Sequence, residues 1–335
     1  FVCFFTWQSG NQLERVAAGT FDSNLVALTT LELARNALTS LEPAAVTVPS
    51  LSRLDLSLNK LGDVPWEGVQ ANGLRELLLH NNTLTSLTYR SFASWPDLKT
   101  LTLHGCNIST VEWRTFNGLS QLTHLDLSWN RLRSLPRFSF NGLSALSTLS
   151  LANNEITILR TSTFSASLDR NLQNLDMSLN RITMLEPGAF GLRELDWLLL
   201  SGNQLSEIGD DAFTGMPELD VLWINASNIH YIAPGAFNGL TGLDTLVAEN
   251  NFLNDTTFLH NPDLRELDAI QLQVNPGLKF NQGDLDYLVE LRWLDIEDCG
   301  ITSMPPLLFA NIGPNFRTLN RMDFTVSNNG IIIKK

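Results

Sequence analysis

Cysteine, histidine and long apolar runs are all scarce in this 335-residue chain, and each scarcity excludes something. Three cysteines cannot staple a fold of this length, and no CxxC or His/Cys cluster of the kind that holds zinc is present. The longest apolar stretches are a few residues, far short of the roughly 20 needed to span a bilayer, so no membrane insertion is expected within this chain. Basic residues are the minority: Lys+Arg number 22 against 35 Asp+Glu, a formal net charge of −13. Nucleic-acid affinity rests mainly on Lys and Arg, so no nucleic-acid partner is expected. Phe1-Val2-Cys3-Phe4-Phe5 is too short for a signal peptide and no Met precedes it, so the chain reads as processed or truncated. What is plentiful is ordinary: 44% hydrophobic and 17% charged residues describe a folded chain, of about two domains unless repeats set the architecture.

Repeats do set it. The line Leu122-x-x-Leu125-x-Leu127-x-x-Asn130-x-Leu132 recurs in phase from Leu28, Leu51, Leu74, Leu98, Leu146, Leu172, Leu195, Leu219 and Leu243, with looser copies from Leu267 and Leu291. Starts lie about 23 to 26 residues apart. In a short strand alternate side chains face opposite ways, so Leu125 and Leu127 point inward while Asp126 and Ser128 point out. One such unit cannot bury its own apolar face. Stacking parallel strands about 4.8 Å apart builds a continuous core from units that touch only their neighbours. The fold expected is an α/β repeat solenoid, a curved horseshoe with a concave parallel sheet and a convex side of loops and short 3-10 turns. Residues 1–27 are expected to form an irregular N-terminal repeat or cap, 28–312 about twelve repeats, and 313–335 an irregular C-terminal repeat, all in one solenoid.

The polar position of the frame is occupied by Asn36, Asn59, Asn82, Asn130, Asn154, Asn180, Asn203, Asn251 and Asn275, with Cys106, Ser227 and Cys299 standing in for it. There the chain turns off the strand, and a side-chain amide can bond backbone groups that would otherwise be buried unpaired. Cys106 and Cys299 are about 190 residues apart, roughly eight repeats, beyond the ~6 Å Cα separation of a disulfide. They read as buried weak donors substituting for Asn. Only Cys3 is left to pair with a cysteine outside this sequence. On the back of each unit a phenylalanine recurs: Phe92, Phe116, Phe140, Phe164, Phe190, Phe213 and Phe237. These predict an aromatic spine worth roughly 1.5–3 kcal/mol per buried ring.

The 24-residue form, carried most fully by Leu122 to Leu143 (LTHLDLSWNRLRSLPRFSFNGL), resembles the "typical" leucine-rich repeats of extracellular proteins. Toll-like receptor ectodomains, Slit-like guidance proteins and variable lymphocyte receptors are of this kind. The resemblance covers roughly Leu13 to Ile312. It implies an extracellular or cell-surface location, with an intracellular scaffold as the alternative, and it says almost nothing about a ligand. The chain departs from that pattern at its ends. Such ectodomains are usually closed by cysteine-rich caps, whereas Phe1, Phe4, Phe5 and Trp7 are apolar and an Ile331-Ile332-Ile333 triplet lies in the tail. Either further domains adjoin the ends, or the ends make end-to-end or assembly contacts. Sequons at Asn81, Asn107, Asn225 and Asn254 are the glycosylation candidates, although Asn, Ser and Thr are common enough to produce as many by chance.

Catalysis has little to stand on. His80 and His104 hold the same position in adjacent units, which would put their imidazoles about 5 Å apart. The functional reading is a pH-sensitive or metal-binding pair; two solvated surface residues is the preferred one. His124, His230 and His260 join no readable nucleophile–base pairing, so no catalytic residue, metal or cofactor is assigned. Asp295, Glu297 and Asp298 read as a solvated acidic face rather than a calcium site.

Binding is better supported, because outward side chains of a stacked sheet vary without cost to the core. Early units present a mildly basic stretch, Arg75, His80, Lys99, His104 and His124. Later ones are acidic: Asp196, Asp220, Asp244, Glu249, Asp268, Asp295, Glu297 and Asp298. Within the acidic part lie Trp197, Leu199, Val221, Trp223 and Val247, with Trp293 further along. Tryptophans aimed away from a core, rimmed by acid, predict a protein-binding patch for a partner with a basic rim. A non-enzymatic recognition module, receptor-like or secreted, is the reading that follows; a structural or adhesive component of an extracellular assembly is the alternative.

Overall fold

The first leucine of the L-x-L step is the buried middle of a three-residue strand such as His124–Asp126, flanked by residues that are mostly half-buried or exposed. That single arrangement, repeated, is the fold. The computed structural model describes residues 5–7, 9–89, 91–137, 139–161, 163–164 and 168–312, and it is a parallel β-sheet solenoid with almost no helix. Among the described residues the regular helix consists of two 3-10 turns, Thr257–Leu259 and Pro262–Leu264. Expectations for Cys3, for the apolar N-terminal side chains and for the tail after Ile312 lie outside what is described.

By contact the chain divides into two compact units, one of Phe1–Glu155 with Phe164–Leu172, the other of Ile156–Thr163 with Gln173–Lys335. In the first, Phe5–Trp7, Thr30–Glu32, Arg53–Asp55, Glu76–Leu78, Thr100–Thr102, His124–Asp126 and Thr148–Ser150 pair side by side in parallel. In the second the series is Asn174–Asp176, Trp197–Leu199, Val221–Trp223, Thr245–Val247, Ala269–Gln271 and Trp293–Asp295. The register never slips: Leu198 meets Leu222, Leu222 meets Leu246, and Leu246 meets Ile270. A one-residue slip would turn every core leucine to solvent, so the hydrophobic pattern alone specifies it. Phe5–Trp7, pairing with Thr30–Glu32, adds a strand ahead of the twelve copies legible in the sequence.

The amides at the bend bind coil to coil. Asn59 accepts from Leu38 N at 3.0 Å and donates to Leu33 O of the preceding coil and Leu56 O of its own, both at 3.0 Å. Asn82 repeats this with Leu61 N, Leu56 O and Leu79 O. At Cys106 the thiol donates to Leu79 O at 3.2 Å, at Cys299 to Leu272 O at 3.1 Å, and at Ser227 the hydroxyl donates to Leu200 O at 3.3 Å. These short side chains keep the donor role of the amide. The following asparagine then accepts twice: Asn130 Oδ1 takes both Cys106 N and Ile108 N, and Asn251 Oδ1 takes both Ser227 N and Ile229 N. Burial pushes the Cys106 and Cys299 thiols up to about 11, so both stay protonated and unreactive near neutral pH.

The residue before each amide position turns through the left-handed region, among them Arg35, Leu58, Asn81, Trp129, Asn153, Leu179, Ala226, Asn250, Val274 and Asp298. A β-branched side chain such as Val274, at φ 57°, is unfavourable there. The turn recurs because the coil must reverse off the strand at this point. At Gly202 the same turn has a second requirement, since a Cβ would lie 2.7 Å from the Leu179 side chain of the neighbouring coil.

Behind the sheet the phenylalanines stack. Phe92, Phe116, Phe140 and Phe164 lie ring over ring at 5.7 to 6.2 Å in the first unit. Phe190, Phe213 and Phe237 do so in the second, where Phe258 extends the row edge-on at 5.7 Å. Phe258 sits in the 3-10 turn where the sequence frame loosens.

Asn130→Ala would strip partners from two buried amides and from Leu103 O and Leu127 O. At about 1–3 kcal/mol per buried group left unpaired, the variant is expected to lose about 3 kcal/mol or more in urea unfolding. Asn36→Ala, at a half-buried position, should lose clearly less. Equal and small losses would contradict the role given to the amides.

Candidate functional site

Because the register is strict, outward residues of the second unit form columns that run across the strands. One column holds Asp196, Asp220, Asp244 and Asp268, then Arg292, each backbone amide donating to the carbonyl of the member before it. The next holds Trp197, Val221, Thr245, Ala269 and Trp293, and the next Leu199, Trp223, Val247, Gln271 and Asp295. A last column holds Ser201, Asn225, Glu249, Gln273 and Glu297, four residues beyond the second. The face therefore has an apolar floor one or two side chains wide between two polar margins.

Trp197 is 46% exposed and Trp223 40% exposed, although each belongs to a strand. Trp197 is in register with Val221, and Leu199 with Trp223, so the four side chains make one apolar block. Val247 continues it only in part. It is 5% exposed rather than open, because a valine in register between the Trp223 indole and Gln271 presents little surface of its own. Trp293, 41% exposed, is four strands from Trp197, about 19 Å at 4.8 Å per strand, so it does not touch the block.

The aspartate column carries an electrostatic cost. Burial and then Glu218 raise the carboxyl of Asp196 above its usual range. At Asp220 burial is followed by Asp244 and Asp196, and at Asp268 burial and the neighbouring acids outweigh the lowering by Arg292, whose Nε lies 3.4 Å from Asp268 Oδ1. Like charges held one strand apart disfavour their own ionisation. At the other margin the Gln273 amide donates to Glu249, and the Ser201 hydroxyl to Asn225.

In the first unit the basic stretch takes a different form. His80 and His104 stack with ring centroids 4.4 Å apart, His80 Nδ1 against Thr102 Oγ1 and His104 Nδ1 against Asp126 Oδ2, both at 3.1 Å. Burial, then the adjacent His104, holds the His80 imidazole below its usual range, against the pull of Asp55 and Asp126. His124, His230 and His260 lie elsewhere, with Thr123, Phe252 and Tyr287 as respective neighbours. Among the described residues no group of three or more His, Cys, Asp or Glu side chains is placed to hold a metal ion. At Asp295 and Glu297 the carboxylate of the first accepts from the backbone of the second at 3.1 Å. Of the sequon asparagines, Asn81, Asn107 and Asn254 are exposed, while Asn225 is half-buried in the margin of the patch.

Known proteins place this architecture. The family model described as Leucine rich repeat matches residues 9–61, 72–132, 170–229 and 193–253. No curated protein sequence matches the chain. Among solved structures, it is similar to that of a TLR13–ssRNA13 complex, with 26% identity over 90% of this chain and 41% of that one, at a TM-score of 0.69. It is similar in fold to the Drosophila Toll–Spatzle complex, with 22% identity, 86% and 39% coverage and a TM-score of 0.73. The same holds for the mouse RP105/MD-1 complex, at 20% identity, 88% and 49% coverage and a TM-score of 0.67. The chain thus spans less than half the length of each of these proteins. Among its described residues no helix is long and apolar enough to cross a membrane.

Asp220→Asn tests the electrostatic reading. An acid whose folded-state pKa is raised contributes stability that is present below its usual value and lost as pH rises through the raised one. The variant is therefore expected to melt higher than the parent at pH 7, with the difference closing as pH falls toward 3.8. A lower melting temperature at pH 7 would show that the column is held together by partners instead.

Proposed function

Since the chain belongs to the leucine-rich repeat family, we propose that it is a non-enzymatic recognition module whose open sheet face in the second unit binds a protein partner. The observation that carries this is the pair of exposed indoles, Trp197 and Trp223, set in register with Leu199 and Val221 beside a column of aspartates. Exposed aromatic groups at the centre and charge at the margin is the anatomy of a protein interface, in which tryptophan is enriched among residues that dominate affinity. The partner is one with a basic rim. Although a similar solved structure is a complex with ssRNA13, this face is acidic, and a phosphate backbone would be repelled by it.

The setting proposed is extracellular or cell-surface, receptor-like or secreted, in line with the solved complexes that share the fold. Glycans are assigned to Asn81, Asn107 and Asn254, which are exposed, rather than to Asn225, whose amide oxygen accepts from Ser201. The competing reading, a structural or adhesive component, would have these surfaces permanently covered.

Truncating both indoles is expected to weaken a captured partner by about 2 kcal/mol or more, roughly thirtyfold in Kd, by surface plasmon resonance. Unchanged affinity of the Trp197→Ala/Trp223→Ala double variant would remove the patch from consideration. Light scattering should find a monomer that engages its partner reversibly; an assembly that separates only on denaturation would favour the structural reading. Glycosidase treatment of protein made in a secreting host should shift the intact mass, and loss of Asn225 should leave that shift unchanged. No shift at all would move the location inside the cell.

A further inference from the structure

One margin of the face carries four aspartates and the other carries Glu249 and Glu297 among Ser201, Asn225 and Gln273, while the floor between them is mostly apolar, interrupted by Thr245, Gln271 and Asp295. From Asp196 to Ser201 is five residue steps, only Trp197–Leu199 of them strand, so the margins are at most about 16 Å apart at 3.3 Å per residue. Along the other direction, the strands from Trp197–Leu199 to Trp293–Asp295 span about 19 Å. The floor is not flat. Trp197 and Trp223 stand at one end and Trp293 at the other, and between them the columns carry the small side chains Thr245, Val247 and Ala269 together with Gln271, all buried or half-buried. The result is a trough closed at both ends by indoles and flanked by Asp196, Asp220, Asp244 and Asp268 on one side and Glu249 and Glu297 on the other.

Resting on the partner-binding reading above, we infer that this trough takes an amphipathic basic α-helix of about 13 residues, laid across the strands with its apolar stripe on the floor and Lys or Arg reaching both margins.

Width, length and charge each argue for that occupant. An α-helix with its side chains is about 10–12 Å across, which fits between margins at most about 16 Å apart and leaves long cationic side chains room to reach the carboxylates. At 1.5 Å per residue, about 13 residues cover the 19 Å between the end indoles. An extended segment fits less well. Its side chains project in only two opposite directions, so it cannot place apolar groups on the floor and cations on both margins together. A helix projects side chains all round, which supplies a floor-facing stripe and two flanks at once. The one cation of the column in this unit is Arg292, already beside Asp268, so the column neighbours of Asp196, Asp220 and Asp244 within the unit are not cationic. Burial first, and then the nearby Asp244 and Asp196, raise the Asp220 carboxyl, and the like-charge part of that cost would be relieved by cations arriving from outside.

The experiment uses the whole chain and two fluorescein-labelled 18-residue peptides of identical leucine and lysine composition. One spaces its leucines at helical period, the other alternates them as in a strand. Fluorescence anisotropy at two salt concentrations gives the affinities, and circular dichroism of the bound mixture reports induced helix. The helical-period peptide is expected to bind at least tenfold more tightly and to gain helicity on binding. It should lose at least tenfold with Trp223→Ala, with Asp220→Asn/Asp244→Asn, and with Ala269→Trp, which fills the saddle without removing any charge. Equal or tighter binding of the alternating peptide would overturn the helical occupant while leaving partner binding at the indoles standing. Peptide binding indifferent to all three variants would show charge attraction alone and overturn the inference. No binding of either peptide would do the same. The partner-binding reading fails separately, if the double indole variant holds a natural partner as well as the parent does.

Discussion

A peptide group that leaves the strand ladder inside a stack of coils is buried, and it must be bonded by something. That requirement fixes most of this molecule. A carboxamide meets it from one position because it carries an acceptor and two donors, enough to reach its own coil and the preceding one together. The Asn59 and Asn82 geometries show this directly, with bonds of 2.8 to 3.0 Å to both coils. Where the position holds Cys106 or Ser227, one donor survives and the next amide along accepts two backbone N–H groups. At Cys106 and Ser227 the neighbouring coils on both sides carry a full asparagine amide. The strand register that the leucine pattern specifies, the phenylalanine stack and the columns of outward side chains all run in step with this seam of amides.

How much of this could be read from the residues alone depended on period. The strand frame, the amide positions and the spine from Phe92 to Phe237 repeat with a fixed spacing from the leucines, and each is where that spacing put it. Features without a period were not legible. Strand Phe5–Trp7 is preceded by too little sequence to show a repeat. Short edge pairs such as Ser86–Leu87 with Thr110–Val111 arise because successive coils lie close, whatever residues line them. Phe258 joins the spine from a 3-10 turn that the repeat frame does not contain. Left-handed turns at Leu58, Trp129, Leu179 and Val274 carry no glycine signal at all. At the candidate site, alternation correctly aimed Trp197 and Trp223 outward, but alternation says nothing about neighbours. Hence the burial of Val247 beside a larger side chain, and the separation of Trp293 by three intervening strands, needed coordinates.

The two sheet faces also handle charge in opposite ways. In the first unit Arg53 pairs with Glu76 on the adjoining strand, and His104 pairs with Asp126, which also accepts from the Ser128 backbone and hydroxyl. Such a face is largely satisfied by itself. In the second unit three of four column aspartates are pushed up by burial and by nearby acids, beside indoles that belong to the strands themselves. Local choices that oppose folding without an internal gain are the mark of surfaces kept for something else. The repeated core supplies enough burial that a few such choices do not threaten the fold.

The similar solved structures make the same distinction from outside. They share this fold while being complexes with an RNA in one case and with the proteins Spatzle and MD-1 in others. One backbone thus serves partners of opposite chemistry, so the fold cannot select among them. Selection has to come from the outward columns, which the core leaves free to vary. For a polyanion, a column of four aspartates on a chain of net charge −13 is a barrier that grows as salt is lowered. For a cationic, partly apolar protein surface the same column attracts from a distance, and the indole floor supplies the desolvated contact at close range. On the proposed reading, repulsion of polyanions and attraction of a basic partner come from the same carboxylates, which offsets their cost to stability.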